Sequence, residues 1–190
     1  MSTQVIGFAM CGSFCTFDKV LKALEKLHEK YPNVIPIMST ASYETDSRFG
    51  PSAHFRSRLE EICQHEILHT IEQTEPIGPK KLLDAVVVAP ATGNTLAKLA
   101  AGIADGPVTL ACKAHLRNER PIILAVSTND GLAGNAASIG QLLNRKQYYF
   151  VPFGQDAAFQ KPRSLVAHFD LLPDTVDAAL RGEQLQPMLV

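Results

Sequence analysis

The sequence contains no apolar run long enough to cross a membrane. Its longest apolar runs, such as Ala85–Pro90 and Ile122–Val126, are far shorter than the roughly 20 residues that a membrane-spanning helix needs. The N-terminal residues Met1–Gln4 lead directly into an apolar segment, without the basic region and cleavable apolar stretch of a secretory signal. We therefore expect no membrane partner and a cytoplasmic location.

The chain also lacks an excess of either charge. Its 18 lysines and arginines are interspersed with 19 aspartates and glutamates, so no global positive field attracts nucleic acid or anionic lipid. Apolar residues make up 46% of the chain and charged residues 19%, a balance typical of a globular protein. We predict one soluble domain spanning residues 1–190, with a loop-rich C-terminal extension from about residue 154 and no nucleic-acid partner.

Cysteine is scarce and has no metal-binding or redox spacing. Cys11, Cys15, Cys63 and Cys112 form no C-x-x-C pair, and a reducing cytosol keeps such residues as thiols. A helix N-terminus near Cys11 and Cys15 would lower a thiol pKa, but a buried small side chain is the commoner role of cysteine. We interpret all four as structural.

Continuous apolar segments alternate with segments of helical periodicity. The predicted strands are Gln4–Ala9, Val34–Met38, Ala85–Ala89, Ile122–Val126 and, as the last strand, Tyr148–Val151. The predicted helices are Phe17–Tyr31, about Asn94–Ala104 and about Leu132–Arg145, whereas Glu72–Lys81 is predicted to be a loop. This alternation predicts an α/β fold with a doubly wound, Rossmann- or flavodoxin-like, mostly parallel sheet and helices on both faces.

Polar loops follow four of the predicted strands. Singly, each has an ordinary explanation in turns and helix caps. Because ligands bind outside the carboxyl ends of parallel strands, four such loops at one edge favour a binding site instead. The loops are Met10–Thr16, Ser39–Ser42, Pro90–Thr95 and Ser127–Gly131.

The first loop has the composition of a phosphate site. Gly12 lets backbone N–H groups point at an anion, and the hydroxyls of Ser13 and Thr16 complete the oxygen shell. The loop has neither the G-x-G-x-x-G nor the P-loop pattern, which makes dinucleotides and ATP less natural ligands. A mononucleotide such as FMN fits better.

The stretch Pro90–Asp105 resembles the PASANT motif of the homo-oligomeric flavin-containing cysteine decarboxylases, a family of flavoproteins. The resemblance extends through most of the first two-thirds of the chain and implies FMN as cofactor and a homotrimer or a multiple of one. It assigns FMN binding to Gly12, Ser13, Ser39, Thr40, Thr92, Asn94 and Thr95. The four polar loops also contain Thr16, Gly93, Ser127 and Thr128, which we likewise predict to bind the cofactor.

Nearly the whole chain resembles the narrower family of B subunits of bacterial dipicolinate synthases. The segments that carry this resemblance are Thr45–Gly50, Glu75–Lys81, Leu116–Asn118, Tyr149–Asp156 and Lys161–His168. It implies an oxidoreductase subunit that acts with a dehydrogenase-type A subunit, through which NAD(P) would be bound. Together they would form dipicolinate from a dihydrodipicolinate precursor in the mother cell of a sporulating bacterium.

Cationic side chains could receive the carboxylates of such a substrate. Guanidinium and ammonium groups suit carboxylate binding, and the candidates are Arg48, Lys113, Arg117 and, near the C-terminus, Lys161.

Two features of the decarboxylases are missing. Pro76 stands where they place the histidine that serves the chemistry, and proline cannot transfer a proton. Ser127–Asp130 replaces their Pro-x-Met-Asn substrate motif. We therefore assign no catalytic residue. Two alternative functions stay open. One is a partner of the A subunit that binds no flavin, and the other is a flavin-dependent decarboxylase.

The segment His65–His69 matches the H-E-x-x-H zinc motif. Zinc binding requires a helix that brings both imidazoles to one face. Ile67, Thr70 and Ile71 favour a strand instead, and Glu72 stands where the extended motif has glycine. We therefore predict no metal site here.

Overall fold

The structure is a computed structural model that describes residues 3–190. Met1 and Ser2, which belong to the segment used above to predict the absence of a secretory signal, lie outside the described residues. Within residues 3–190, none of the helices combines the length and the apolarity of a membrane span.

A mostly parallel sheet forms the centre of the described chain, which confirms the predicted α/β class. Its parallel part has the order β2-β1-β3-β4-β5, and β7 and β6 extend it in antiparallel pairing from the carboxyl end of β4. The strands are β1 (Val5–Met10), β2 (Asn33–Met38), β3 (Ala85–Ala91), β4 (Ile122–Thr128), β5 (Tyr148–Phe150), β6 (Phe153–Gly154) and β7 (Leu165–Ala167).

Helices cover the sheet in two layers. The helices are α1 (Phe17–Lys30), α2 (Thr40–Glu44), α3 (Ser52–Cys63), α4 (Ile71–Thr74), α5 (Gly93–Ala101), α6 (Pro107–Leu116), α7 (Ala136–Leu143) and α8 (Leu172–Leu180). In one layer α1 contacts both α3 and α8, and in the other α5 contacts both α6 and α7. Both faces of β3 are therefore buried, which is why Val86, Val87 and Val88 form an unbroken apolar run.

A hydrogen-bonded turn and a left-handed glycine shorten two of the predicted helices. The backbone carbonyl of Asp130 accepts the N–H groups of Ala133 and Asn135, and this turn delays the start of α7 to Ala136 instead of Leu132. At its other end, α5 stops at Ala101 because Gly102 adopts a left-handed conformation with φ of 73°. Glycine tolerates that conformation and commonly ends helices.

The C-terminal extension contains more regular structure than predicted, and Tyr148–Phe150 is not the last strand. Its strands β6 and β7 extend the sheet, and α8 packs Leu172, Val176 and Ala179 into the core. The sequence does indicate helix α8, because its apolar residues Leu172, Val176 and Ala179 recur at helical spacing.

The predicted loop Glu72–Lys81 also begins in a helix. Thr70 and Gln73 form a reciprocal capping box that starts α4, and a 3₁₀ turn follows at Glu75–Ile77. The helices α3 and α6 were not predicted at all.

Candidate functional site

The candidate site lies where the winding of the sheet changes direction. In the order β2-β1-β3-β4-β5, the chain reverses between β1 and β3, so the loops that follow these strands diverge and leave a crevice. Two cavities adjoin there, one of about 440 Å³ and one of about 200 Å³. Gly12 after β1 and Thr92 after β3 line both of them.

All of the residues predicted to bind the cofactor line one cavity or the other. The larger cavity is lined by Gly12, Ser39, Thr40, Thr92, Asn94 and Thr95. The smaller cavity is lined by Gly12, Ser13, Thr16, Thr92, Gly93, Ser127 and Thr128. The four loops thus converge at one edge of the sheet, as their positions after parallel strands predict.

Side-chain caps hold the polar groups of the larger cavity in place. The Thr92 hydroxyl accepts the N–H of Thr95 at 3.2 Å at the start of α5, and the two hydroxyls lie 3.0 Å apart. Ser39 caps α2 in the same way, accepting the N–H of Ser42 at 3.3 Å. The buried Ser42 hydroxyl donates to the carbonyl of Met10 at 2.9 Å, which ties the loop after β2 to the end of β1.

An ion pair and a thiol, which sequence analysis did not assign to the site, also line the larger cavity. The Lys98 ammonium contacts both carboxylate oxygens of Asp105, at 2.9 and 2.8 Å. These hydrogen bonds hold the pKa of the Asp105 carboxyl below its usual range. Burial raises the pKa of Cys11 to about 11, so this residue is a neutral thiol.

Gly93 allows the loops after β3 and β4 to approach closely. A Cβ atom at this position would lie 2.4 Å from the Asn135 side-chain nitrogen and 2.8 Å from the Thr128 hydroxyl. Ser13 and Ser127 connect the loops after β1 and β4 through hydroxyls 2.8 Å apart. Glycine is therefore required for packing here, in addition to any role in binding.

The C-terminal extension supplies a third wall of the smaller cavity, through Asp156, Lys161 and Ser164. The Lys161 ammonium lies 3.2 Å from Asp156 Oδ2, and the Ser164 hydroxyl donates to Asp156 Oδ1. Burial raises the pKa of the Asp156 carboxyl, but these hydrogen bonds outweigh it and the pKa stays below the usual value. Lys161 is thus the predicted carboxylate ligand that the structure brings to the site.

The other predicted substrate ligands lie elsewhere. Arg48 is exposed and lies over the ring of Phe49, and Arg117 is exposed just after α6. Lys113 lines a separate, mainly apolar cavity of about 110 Å³ beside Tyr148. Sequence alone could not distinguish these residues from Lys161, because their distance from the strand ends depends on the tertiary fold.

The H-E-x-x-H segment is not helical. Helix α3 ends at Cys63, and Leu68 pairs with Ile37 at the edge of the sheet beside β2. The two imidazoles therefore do not share a helix face, and the ring of His69 stacks on Tyr43 with centroids 3.8 Å apart.

The sequence of this chain is similar to the sequences of known proteins. A family model described as Flavoprotein matches residues 1–167. The chain is 43% identical to the dipicolinate synthase B subunit of Bacillus subtilis (strain 168) over 185 residues, 97% of this chain and 92% of that relative.

Solved structures agree with this relationship. The crystal structure of the dipicolinate synthase B subunit from Bacillus halodurans C matches with a TM-score of 0.90 at 41% identity, covering 100% of this chain and 97% of that one. The FMN-dependent cysteine decarboxylase SpaF matches with a TM-score of 0.72 at 20% identity, over 94% of this chain and 96% of that one. At that lower identity the similarity shows the fold alone.

Proposed function

This chain belongs to the Flavoprotein family, and we propose that it is the flavin-binding, B-type subunit of a dipicolinate synthase. In this proposal it binds FMN and acts with an A-type subunit, which would bind NAD(P). The pair oxidises a dihydrodipicolinate precursor to dipicolinate, in the mother cell of a sporulating bacterium. The observation that carries the proposal is the larger cavity at the β1/β3 crevice, where three loops converge. The loops after β2 and β3 line it with the hydroxyls of Ser39, Thr40, Thr92 and Thr95 and the amide of Asn94.

The size and chemistry of the larger cavity fit FMN. Its volume of about 440 Å³ lies within the roughly 300–1,000 Å³ typical of small-molecule and cofactor sites. Flavodoxin-like sheets bind FMN at the same crevice between β1 and β3. The neutral hydroxyls of Ser39, Thr40 and Thr95 suit the phosphate and the sugar-like chain of a mononucleotide, because they donate hydrogen bonds without adding negative charge.

The polar residues of the cavity wall would hold the cofactor in this proposal. Gly12, Ser39, Thr40, Thr92 and Asn94 would bind the phosphate and the polar parts of the mononucleotide. A bound flavin supplies a two-electron acceptor, which the conversion of a dihydropyridine to a pyridine requires. The buried Cys11, with its raised pKa, contributes an apolar wall rather than a nucleophile.

The decarboxylase alternative has less support. No histidine is among the described residues that line the two cavities. Pro76, which stands in place of the catalytic histidine of the decarboxylases, lies in a 3₁₀ turn and lines neither cavity. The described residues of this chain therefore place no histidine for proton transfer in the wall of either cavity.

Exposed apolar side chains support assembly with other subunits. Phe159 is 99% exposed, and Leu132 and Ile103 are about half exposed. Such groups are available for burial in a homo-oligomer, which we propose to be a trimer or a multiple of one, and against the A-type subunit.

The test is an absorbance spectrum of the purified chain with and without added FMN, followed by dihydrodipicolinate oxidation with and without the A-type subunit. Stoichiometric FMN and activity only in the mixture would support the proposal. A protein that never retains FMN but restores the activity of the A-type subunit would replace it with a partner role without flavin.

A pair of variants makes the test specific to the cavity. Thr40→Ala removes a hydroxyl from the cavity wall and should weaken FMN binding by about twofold to tenfold, as expected for one neutral hydrogen bond. Ser57→Ala makes a similar change on the exposed surface of α3 and should leave FMN affinity unchanged. Equal effects of the two variants would count against the larger cavity as the flavin site.

A further inference from the structure

The smaller cavity contains one cation and one carboxylate among the residues that line it. These are Lys161 and Asp156, both from the C-terminal extension. The remaining polar groups of its wall are neutral, such as Ser127, Thr128 and Asn129. An anionic ligand in this cavity therefore has a single positively charged side chain to contact.

The Lys161 ammonium is held loosely compared with the lysine of the larger cavity. Its contact with Asp156 is a single one of 3.2 Å, and its side chain is half exposed. Lys98, by contrast, contacts both oxygens of Asp105 at 2.9 and 2.8 Å. Half-exposed ion pairs contribute little to stability, so an incoming carboxylate can replace Asp156 as the partner of Lys161 at little cost.

Asp156 remains hydrogen-bonded when Lys161 turns to a ligand. The hydroxyl of Ser164, which is 3% exposed, donates to Asp156 Oδ1. The same hydroxyl lies 3.4 Å from the side-chain oxygen of Asn129, which places it beside the loop after β4. Ser164 thus acts as a positioning residue that keeps the Asp156 carboxylate in place at the cavity wall when the Lys161 ammonium turns to a ligand.

The dimensions of the cavity select the class of ligand. Its volume of about 200 Å³ is below the roughly 300 Å³ at which pockets for drug-sized ligands begin, and suits a one-ring compound better than a mononucleotide. It adjoins the larger cavity through Gly12 and Thr92, so a small ring bound here lies beside the proposed flavin site. The wall of the smaller cavity includes five residues that the sequence predicted to bind FMN and that this inference assigns to the substrate instead: Ser13, Thr16, Gly93, Ser127 and Thr128.

We propose that the smaller cavity is the substrate site, in which Lys161 binds one ring carboxylate of a pyridine- or dihydropyridine-dicarboxylate. The identity of the substrate rests on the proposed function, but the cation and the cavity do not. Asp156 opposes the bound dianion electrostatically, because it contributes a negative charge to the same wall. Removing that charge should therefore strengthen binding, and removing the charge of Lys161 should weaken it.

The experiment is titration calorimetry of the full chain with dipicolinate, the stable product, in the presence and absence of FMN. Lys161→Gln should weaken binding about tenfold to a hundredfold, the loss expected for a hydrogen bond between charged groups. Lys161→Arg should retain most of the affinity. Asp156→Asn should bind dipicolinate several-fold more tightly than the unmodified chain, whereas a merely structural role for Asp156 predicts weaker binding.

Lys146→Gln provides the matched control, since it removes the same charge from an exposed position that lines neither cavity. It should leave dipicolinate affinity unchanged, and a loss equal to that of Lys161→Gln would overturn the proposal as a nonspecific charge effect. Unchanged binding by Lys161→Gln, or weaker binding by Asp156→Asn, would also overturn it.

Parallel FMN titrations separate this inference from the proposed function. Lys161→Gln should bind FMN as the unmodified chain does, because Lys161 does not line the larger cavity. A chain that binds FMN but no dipicolinate would overturn the substrate site alone. A chain that binds dipicolinate through Lys161 but never FMN would support the substrate site and overturn the flavin role.

Discussion

Replacing Gly93 with alanine should destabilise the protein, although alanine is the better helix former. An added Cβ would lie 2.4 Å from the side-chain nitrogen and 2.8 Å from Cγ of Asn135. That nitrogen also donates to the Asp130 carboxylate at 3.1 Å, so the amide cannot move away without losing a hydrogen bond. Thr128 closes the other side, with its hydroxyl 2.8 Å from the added atom.

The expected loss of unfolding free energy in Gly93→Ala is the difference between two opposing contributions. Overpacking of this kind costs about 1–3 kcal/mol. Exchange of glycine for alanine in a helix recovers at most about 1 kcal/mol, and less at Gly93 because it is the first residue of α5. The free energy of unfolding should fall by about 1–2 kcal/mol, which lowers Tm by about 2–8 °C for a chain of this size.

The matched control is Gly140→Ala in α7. Apart from its chain neighbours and the backbone of its own helix, an added Cβ at Gly140 meets no heavy atom of the described chain within 4 Å, and the residue is exposed. This variant should therefore gain about 0.5–1 kcal/mol from helix propensity alone. Thermal and urea unfolding followed by circular dichroism measure both variants. If Gly93→Ala were as stable as Gly140→Ala, the close approach of the loops after β3 and β4 would be refuted.

Three further predictions concern single side chains. Thr92→Ala should lose about 1 kcal/mol of unfolding free energy and Thr92→Ser should recover most of it, because the hydroxyl caps α5. Burial lowers the pKa of His115 to about 4 from its ordinary 6.5, so the unfolded chain binds the proton first and stability should fall as pH drops from 6.5 towards 4. The loss is at most about 3 kcal/mol, and His115→Gln should flatten this dependence of the urea midpoint. Iodoacetamide should label the exposed Cys15 of the folded protein and spare the three buried cysteines, as counted by mass spectrometry.

Each of these has a contrary outcome. Equal stability of Thr92→Ala and Thr92→Ser would show that the Thr92 hydroxyl does not stabilise α5. A pH dependence that is the same with and without His115 would assign the acid sensitivity to other groups. Rapid labelling of Cys11 in the folded protein would mean that the wall of the larger cavity opens to solvent.

The class of fold and the edge of the sheet at which the site lies follow from the order of residues along the chain. Continuous apolar strands such as Val86–Val88 require helices on both faces, and parallel strands bring their carboxyl ends together. Polar loops after four strands must then converge. Position after a strand is a local property of the chain, and all of the residues predicted to bind the cofactor line one of the two cavities.

The ends of helices were predicted less accurately than the strands, because local turns there interrupt the apolar periodicity. The turn at Asp130 shortened α7 and the left-handed Gly102 ended α5, although the apolar pattern continued beyond both points. Helix α8 was missed despite its regular spacing, because the prolines and polar residues that precede it suggested a loop.

The choice of charged residues that face the site depends on contacts between distant parts of the chain. Arg48, Lys113 and Arg117 are as plausible in sequence as Lys161, yet Lys161 alone of these four lines either cavity. The reason is the antiparallel pairing of β7 with the end of β4, which folds the C-terminal extension back over the loops that follow the strands. The pairing joins residues almost 40 positions apart, Ser127 with Val166, and no periodicity in the chain encodes such a contact.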